Sequence, residues 1–343
     1  MEGGKQAVFF GELLMRLGTR RHERFVQARE FEVGYTGAEA NAAVSVAHFG
    51  LGSQLVSAVP DNAIGTACLN HFRQFGVDTR FVRRSGQRLG TFYLETGAAQ
   101  RASRVIYDRA GSAITELGPG EVDWEAVFRG RHWFHWSGTA PALSASMAAA
   151  TAEACAAAKR HGLTVSCDLN YRRQLWSPAE ARQTMLPLMR HVDVLIGNEE
   201  DTALMLGVGA RDVDVHSGSL DAGRYEEVAR TLHDRFGFQY VATTLRESLS
   251  ASENGWRCLL SDGRQCHLSR HYRMWIVDRV GAGDAFSGGL IYARLTGMPA
   301  AEAVEFASAA ACLKHSIHGD LNHVSREEVL ALVAGHGSGR IQR

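Results

Sequence analysis

The segment Val-Asp-Arg-Val-Gly-Ala-Gly-Asp-Ala-Phe-Ser-Gly-Gly-Leu, residues 277–290, joins a polar, glycine-rich turn directly to a helical pattern. Apolar side chains at Phe286, Leu290 and Ala293 predict a packed helix over residues 284–296. The first N–H groups of a helix have no acceptor within the helix, and the helix dipole adds positive charge at that end. The turn that precedes this helix is therefore a predicted anion-binding site.

The residues of the turn suggest phosphoryl transfer. Gly281 and Gly283 have no Cβ, so the backbone can approach an anion closely. Asp284 is placed to accept a proton from a substrate hydroxyl while the turn stabilises charge on a transferred phosphoryl group. A simple helix-capping role is the alternative for Asp284, and it is the commoner one for an isolated Gly-x-Gly-Asp. The sequence has no Gly-x-x-x-x-Gly-Lys-Ser/Thr phosphate loop.

The composition excludes several classes of partner. The 343 residues carry 37 basic and 37 acidic side chains, and this balance gives no reason to expect nucleic acid or an anionic membrane as a partner. The six cysteines form no Cys-x-x-Cys pair and no zinc-type cluster. No apolar run has the length of a membrane span, and residues 1–6 lack the apolar core of a signal peptide. These features predict a soluble, cytoplasmic protein with reduced cysteines.

Alternating strand and helix patterns predict an α/β fold. Residues 7–15 and 163–169 have the apolar character of buried strands, and such units recur along the chain with helices between them. This order predicts a central, mostly parallel sheet with helices on both faces. Residues 91–96 and 104–109 instead predict an antiparallel hairpin with one wet face, which suits a small β lid over a pocket.

Several polar residues are candidates for ligand binding. Tyr93, Tyr107 and Arg109 on the hairpin offer two phenol hydroxyls and a guanidinium, a set that suits a hydroxylated carboxylate. From these residues alone, an ordinary exposed arginine beside structural tyrosines is favoured. Asn41 is either a buried packing amide, the commoner outcome, or a polyol ligand. Arg172 follows a predicted strand, where ligands of α/β sheets bind, with a solvated loop arginine as the alternative.

The segment from residue 278 to 289 resembles the C-terminal signature of the ribokinase family, also called the PfkB carbohydrate kinases. The resemblance implies a ribokinase-like fold, with Asp284 as the catalytic base. It also implies an anion hole formed by Gly281, Ala282 and Gly283.

Residues 34–52 resemble the N-terminal signature of the same family, usually Gly-Gly-Ala-x-x-Asn. The resemblance implies that Gly37 and Asn41 line the sugar site. Thr36 stands where the family has its first glycine, so its side chain is expected to narrow that site.

Two further segments resemble 2-keto-3-deoxygluconate kinases. Residues 168–176 match their Asp-x-Asn-Tyr-Arg-x-x-Leu-Trp segment, which implies that Arg172 contacts the sugar acid. Tyr93, Tyr107 and Arg109 are similar to their sugar-acid-binding positions. Arg109 and Arg172 would together supply two positive charges for the carboxylate of a sugar acid, a group that a neutral sugar lacks.

The family resemblance also implies ATP and Mg²⁺ as cofactors. Asn198 and Asp201 match an Asn-x-x-Glu motif near the metal and triphosphate, with the shorter Asp at its last position, so Mg²⁺ contact through water is expected. Thr244 lies in the region beside the nucleotide, where Arg246 replaces the usual glycine. Asn322 lies in a segment that ends the nucleotide pocket.

The whole sequence therefore predicts one ribokinase-like domain over residues 1–330, with lid segments at about 15–36 and 88–112 and a disordered tail within 331–343. The predicted function is ATP-dependent phosphorylation of the primary hydroxyl of 2-keto-3-deoxygluconate by a homodimer paired through the lid. Two alternatives remain open. One is a kinase for a neutral sugar such as fructose or ribose, and the other is a catalytically silent sugar-binding relative.

Overall fold

A computed structural model describes residues 4–209 and 222–337 of the chain. In chain order, the strands of these ranges are β1 (Gln6–Phe10), β2 (Leu14–Gly18), β3 (Glu32–Thr36), β4 (Gly52–Val59), β5 (Asp78–Arg84), β6 (Gly90–Glu95), β7 (Arg104–Asp108), β8 (Trp133–Ser137), β9 (Thr164–Asp168), β10 (Val194–Gly197), β11 (Tyr240–Ser248), β12 (Glu253–Ser261), β13 (Cys266–Leu268) and β14 (Tyr272–Trp275).

Ten of these strands form the central sheet, in the order β13-β12-β11-β10-β9-β8-β1-β4-β5, with β14 also paired to β12. From β11 to β5, each pair of neighbouring strands is parallel. The strands β12, β13 and β14 extend one edge in antiparallel pairing. The predicted α/β fold with a mostly parallel sheet is confirmed.

Helices cover both faces of this sheet. They are α1 (Ala38–His48), α2 (Ala63–Arg73), α3 (Trp124–Phe128), α4 (Thr139–Ala142), α5 (Ala145–Arg160), α6 (Pro178–Leu188), α7 (Glu199–Leu206), α8 (Ala222–Phe236), α9 (Ala282–Leu295), α10 (Ala300–Lys314) and α11 (Arg326–Val333). Side chains of a strand alternate between faces, and in β1 the pair Val8 and Phe10 joins the core beneath α3 to α8. Ala7 and Phe9 join the opposite core beneath α1, α2, α9, α10 and α11.

A second, four-stranded sheet in the order β3-β2-β6-β7 forms the predicted lid. Its strands come from the two chain segments predicted as lid insertions, apart from Leu14 at the start of β2. The cross-strand pairing sets the direction of each side chain, because paired residues share a face of the sheet. Phe92 pairs with Tyr107, whereas Tyr93 pairs with Ile106. Tyr93 and Tyr107 therefore lie on opposite faces of the lid.

The structure divides the apolar run at residues 7–15, which the sequence predicts as one strand. β1 ends at Phe10, and β2 of the lid starts at Leu14. Between them the Gly11 N–H donates to the main-chain oxygen of Val56 (3.3 Å), and the chain turns away from the central sheet. The single-strand prediction is wrong because Leu14 and Met15 pair within the lid sheet, although the apolar residues on both sides of the turn continue the same pattern.

The C-terminal part of the fold differs in one detail from the prediction. Helix α11 runs to Val333, so it crosses the predicted domain end at residue 330. Residues 338–343, which include most of the predicted disordered tail, lie outside the described residues. Among the helices of the described ranges, none is both long and apolar enough to cross a membrane.

Candidate active site

A cleft of about 570 Å³ lies between the lid and the carboxyl ends of the parallel strands. Ligands of open α/β sheets bind at this edge because the loops that follow parallel strands converge there. Of the residues predicted from the sequence, those that line the cleft are Thr36, Gly37, Asn41, Tyr107, Arg109, Arg172, Asn198, Asp201, Thr244, Arg246, Gly281, Gly283 and Asp284. Most of the predicted site is thus assembled in one place.

The glycine turn before α9 is shaped by a close backbone contact. Gly281 has φ of 84°, a conformation that favours glycine, and a Cβ there would lie 1.9 Å from the main-chain oxygen of Asp320. Gly283 has open space where a Cβ would stand and lines the cleft. No side chain caps this end of α9, so its first N–H groups can serve an anion in the cleft.

Asp284 lies in the first turn of α9 and is hydrogen-bonded to helix α1. The Asn41 amide donates from Nδ2 to Asp284 Oδ2 at 2.7 Å, and Thr36 Oγ1 donates to Asn41 Oδ1 at 3.0 Å. Burial raises the pKa of Asp284 to about 7, against the opposing effects of the Asn41 hydrogen bond and the Arg172 charge. A carboxylate with this pKa can exchange a proton near neutral pH, which is what a general base requires.

The lid end of the cleft carries a cation beside an aromatic ring. The Arg109 guanidinium lies 4.0 Å from the centre of the Tyr107 ring, and Arg109 Nη1 is 3.5 Å from Glu12 Oε2. Arg172 is exposed at the cleft and donates to the main-chain oxygen of Tyr171 (3.1 Å). These two arginines give the cleft positive charge, which suits an anionic ligand.

Three predicted residues do not line this cleft. Tyr93 packs edge-on against Phe31 on the opposite face of the lid, with the ring centres 5.8 Å apart. Ala282 is fully buried as the first residue of α9. Asn322 is buried outside the cleft lining, and its main-chain oxygen accepts a hydrogen bond from His48 Nδ1.

The residues predicted for the nucleotide reach the cleft from β10 and β11, three and four strands from β1 in the sheet order. Asn198 caps α7, with its Oδ1 accepting from the Asp201 N–H at 2.8 Å and its Nδ2 donating to Asp201 Oδ2 at 3.1 Å. Burial raises the pKa of Asp201 to about 6. Arg246 is exposed, and its guanidinium lies 5.6 Å from the centre of the Trp256 ring.

These residues bear on the predicted metal site. The described residues contain no group of three or more His, Cys, Asp or Glu side chains that could hold a metal ion. Since Asp201 already shares its carboxylate with Asn198, this donor set fits Mg²⁺ only as a companion of the nucleotide phosphates, with water in between.

Three buried carboxyl groups of the cleft, those of Glu12, Glu39 and Asp320, and the half-buried carboxyl group of Asp168 were not predicted as site residues. Glu12 follows β1, and burial raises its pKa to about 7. Asp168 ends β9, and burial raises its pKa well above the ordinary value, with the Asp284 charge adding to the effect. Asp320 faces the glycine turn across the Gly281 contact. Asp168 and Glu12 had a sequence signal, because each is a polar residue at the end of an apolar strand.

A buried ionic cluster supports the glycine turn from behind the cleft. Arg16 of β2 donates to Asp278 Oδ2 at 2.7 Å and also pairs with Asp320. Lys314, with none of its surface exposed, donates from Nζ to the main-chain oxygens of Asp278 (3.1 Å) and Ile317 (3.3 Å). Two basic and two acidic side chains thus connect the lid, the turn and the end of α10.

A carboxylate in the first turn of a helix, an uncapped glycine turn beside it and arginines under a lid form the arrangement that a small-molecule phosphotransferase requires. The comparison with protein families is more specific. The model described as "pfkB family carbohydrate kinase" matches residues 5–325, and the chain belongs to this family.

Three relatives illustrate the similarity. The crystal structure of 2-dehydro-3-deoxygluconokinase from Thermotoga maritima has 44% sequence identity and a TM-score of 0.93, covering 96% of this chain and 100% of that one. The 2-dehydro-3-deoxygalactonokinase of Haloferax volcanii is 33% identical, over 97% of this chain and 98% of its own. The 2-dehydro-3-deoxygluconokinase of Thermoproteus tenax is 29% identical, over 91% and 89% respectively.

Proposed function

We propose that the protein transfers the γ-phosphoryl group of ATP to the primary hydroxyl of 2-keto-3-deoxygluconate, giving 2-keto-3-deoxy-6-phosphogluconate and ADP. The observation that carries the proposal is the combination of Asp284 with two cleft arginines, Arg109 and Arg172. Neutral sugars do not need a cation pair, whereas a sugar acid does. The proposal is also supported by the relative from Thermotoga maritima, which is 44% identical and is named 2-dehydro-3-deoxygluconokinase, after this substrate.

The residues of the cleft suit direct transfer. Asp284 accepts the hydroxyl proton as the oxygen attacks the γ-phosphorus, and the bond from that phosphorus to the bridging oxygen of ADP breaks. The N–H groups of the turn at residues 281–283 stabilise the charge on the phosphoryl oxygens. Arg109 and Arg172 hold the carboxylate and so orient the hydroxyl toward Asp284.

The nucleotide enters as its Mg²⁺ complex in this proposal. Asn198, Asp201, Thr244 and Arg246 border that end of the cleft. The bound metal would neutralise charge on the phosphates, and Asp201 would contact it through water. The support for this assignment is the sheet order, because these residues follow β10 or lie on β11, three and four strands from β1, whereas Arg109 pairs with Glu12 just after β1.

The C4 epimer, 2-keto-3-deoxygalactonate, is a second candidate substrate. A specific observation favours it, because the relative from Haloferax volcanii is named for that epimer and is similar over 97% of this chain. Both epimers have the same carboxylate and the same primary hydroxyl. The arginine pair and Asp284 would therefore serve either one.

ADP release from MgATP tests the proposal with four acceptors: 2-keto-3-deoxygluconate, 2-keto-3-deoxygalactonate, fructose and ribose. We expect the highest kcat/KM for 2-keto-3-deoxygluconate. A higher kcat/KM for 2-keto-3-deoxygalactonate would identify this epimer, the second candidate, as the substrate. Preference for a neutral sugar would contradict the role of the arginines, and calorimetric binding of a sugar acid without turnover would contradict the kinase assignment.

We also propose a homodimer that pairs through the outer face of the lid, in a cytoplasmic enzyme. A cross-strand row on that face consists of Val33, Leu17, Tyr93 and Ile106. Val33 is 60% exposed and Ile106 is 55% exposed, so a second lid would remove apolar surface from water. All six cysteines are unpaired, which fits a reducing compartment. Light scattering of Ile106→Glu tests the interface, and an unchanged dimer mass would contradict it.

A further inference from the structure

Two helices bring Asn41 and Asp284 together through an unusually close contact. A Cβ at Gly288 of α9 would lie 2.6 Å from the Ser45 Cβ and 2.8 Å from the main-chain oxygen of Ala42, both in α1. Asn41 precedes Ser45 by one helical turn, and Asp284 precedes Gly288 by one turn. The glycine contact therefore places both side chains side by side at the cleft.

The hydrogen bonds at this point have a defined direction. A threonine hydroxyl that donates to an amide oxygen leaves the amide NH₂ group for another acceptor. Thr36 Oγ1 donates to Asn41 Oδ1, and Asn41 Nδ2 donates to the Asp284 carboxylate. Thr36 and Asn41 are each only 3% exposed, so water has little access to replace either contact.

We propose that Thr36 and Asn41 are positioning residues for Asp284, with Thr36 fixing the amide of Asn41 and Asn41 orienting the carboxylate and stabilising its ionised form. The inference rests on the proposed role of Asp284 as the base. It gives Asn41 a function on the enzyme's own carboxylate in addition to the lining of the sugar site. It also gives the Thr36 side chain a function that a glycine at this position would lack.

The effect of the Asn41 hydrogen bond on the pKa of Asp284 can be measured separately from the effects of the neighbouring charges. Arg172 lowers the pKa of Asp284, whereas Asp320 and Glu39 raise it, and the half-buried Asp168 and the buried Lys314 also interact electrostatically with this carboxyl group. None of these groups is altered by a change at Thr36. Because the Asn41 hydrogen bond lowers the pKa of Asp284, weakening that bond raises this pKa further. On the acidic side of the pH profile, which we call the acidic limb, kcat rises as the base loses its proton. A higher pKa of Asp284 therefore moves the acidic limb to higher pH.

The test compares Thr36→Val, which removes the hydroxyl at nearly constant volume, with Thr36→Ser, which keeps the hydroxyl. Steady-state kcat and KM for the sugar acid are measured across the pH range in which the wild-type rate rises. We expect Thr36→Val to lower kcat and move the acidic limb up by about 0.5 to 1 pH unit, with little change in KM. Thr36→Ser should restore the wild-type position of the limb.

Asn41→Leu provides the second arm, because it removes both hydrogen bonds. We expect kcat near neutral pH to fall about 10- to 100-fold, with a larger shift of the limb in the same direction. If Asn41→Leu does not fold, the comparison of Thr36→Val with Thr36→Ser is sufficient to test the inference. A higher KM with an unmoved limb would overturn the inference, as would equal damage from Thr36→Ser and Thr36→Val. Absence of wild-type turnover with every sugar acid would instead contradict the proposed function.

Discussion

Lys314 Nζ donates to the main-chain oxygen of Asp278 at 3.1 Å, and the lysine side chain is completely buried. The ammonium group lies beside the turn that precedes α9. It belongs to the ionic cluster of Arg16, Lys314, Asp278 and Asp320, in which two positive charges balance two negative charges. Burial lowers the pKa of Lys314, while the charges of Asp278 and Asp320 oppose this effect. The glycine turn is thus held by a buried charge that does not line the cleft.

Lys314→Met tests the contribution of this buried charge to stability. The variant leaves two carbonyl oxygens without their donor and gives the cluster an excess negative charge, so we expect a loss of about 3–5 kcal/mol in the free energy of unfolding. Denaturant unfolding measures it. Lys159→Met is the control, because its ion pair with Asp193 is partly exposed and its loss should cost less. Equal losses in the two variants would contradict the role given to Lys314.

Asp284→Asn tests the base. The amide cannot accept the hydroxyl proton, so kcat should fall about 10²- to 10⁴-fold while the sugar acid still binds. In the wild-type enzyme, the raised pKa of about 7 predicts that kcat declines as the pH falls through this value, because protonation of Asp284 removes the base. Turnover and calorimetric binding are measured in parallel. Turnover close to that of the wild type would remove Asp284 from this role.

Arg172→Ala tests the carboxylate contact. Loss of charged hydrogen bonds should raise KM for the sugar acid about 10- to 100-fold. The KM of Arg172→Lys should lie between those of the wild type and Arg172→Ala, because lysine keeps the charge but cannot form two parallel hydrogen bonds. Since Arg172 also lowers the pKa of Asp284, the acidic limb of kcat should move upward in the alanine variant. Arg173→Ala is the control, because Arg173 is exposed and does not line the cleft. An unchanged KM in Arg172→Ala would contradict the assignment.

Local patterns predicted the sheet, its helices and the glycine turn, whereas most of the other cleft residues were predicted from the resemblance to the PfkB family. The helix after the glycine turn and the polar residues after strands are short-range signals, and parallel strands bring their carboxyl ends together. The break between Phe10 and Leu14 has only Gly11 and Glu12 as a local signal, and the apolar residues on both sides of it continue the pattern of one strand. Only the tertiary structure shows that Leu14 and Met15 pair in the lid sheet and not in the central sheet.

Tyr93 shows the limit of the prediction within the site. In a hairpin, a shift of one residue in the pairing moves every side chain to the other face, and the long connection between β6 and β7 gives no turn signal that would fix the register. The sequence therefore could not show that Phe92, and not Tyr93, shares a face with Tyr107. Asp320 lies in an irregular segment 36 positions after Asp284, and its place in the cleft depends on long-range packing.

The two glycines of the turn should respond differently to alanine. At Gly281 the added Cβ would meet the main-chain oxygen of Asp320 at 1.9 Å and the backbone has positive φ, so we expect Gly281→Ala to lower the melting temperature. At Gly283 the Cβ would stand in open space at the cleft, and alanine favours a helix over glycine by about 0.5–1 kcal/mol. Gly283→Ala should therefore keep or raise the melting temperature.

Activity separates the two positions further. Because the Gly283 Cβ would enter the space assigned to the phosphoryl group, we expect Gly283→Ala to lose turnover in a fully folded protein. Thermal unfolding and ADP release measured on the same samples provide the comparison. A fully active Gly283→Ala would show that the anion does not approach the backbone at this residue, and an undisturbed melting temperature in Gly281→Ala would contradict the close contact with Asp320.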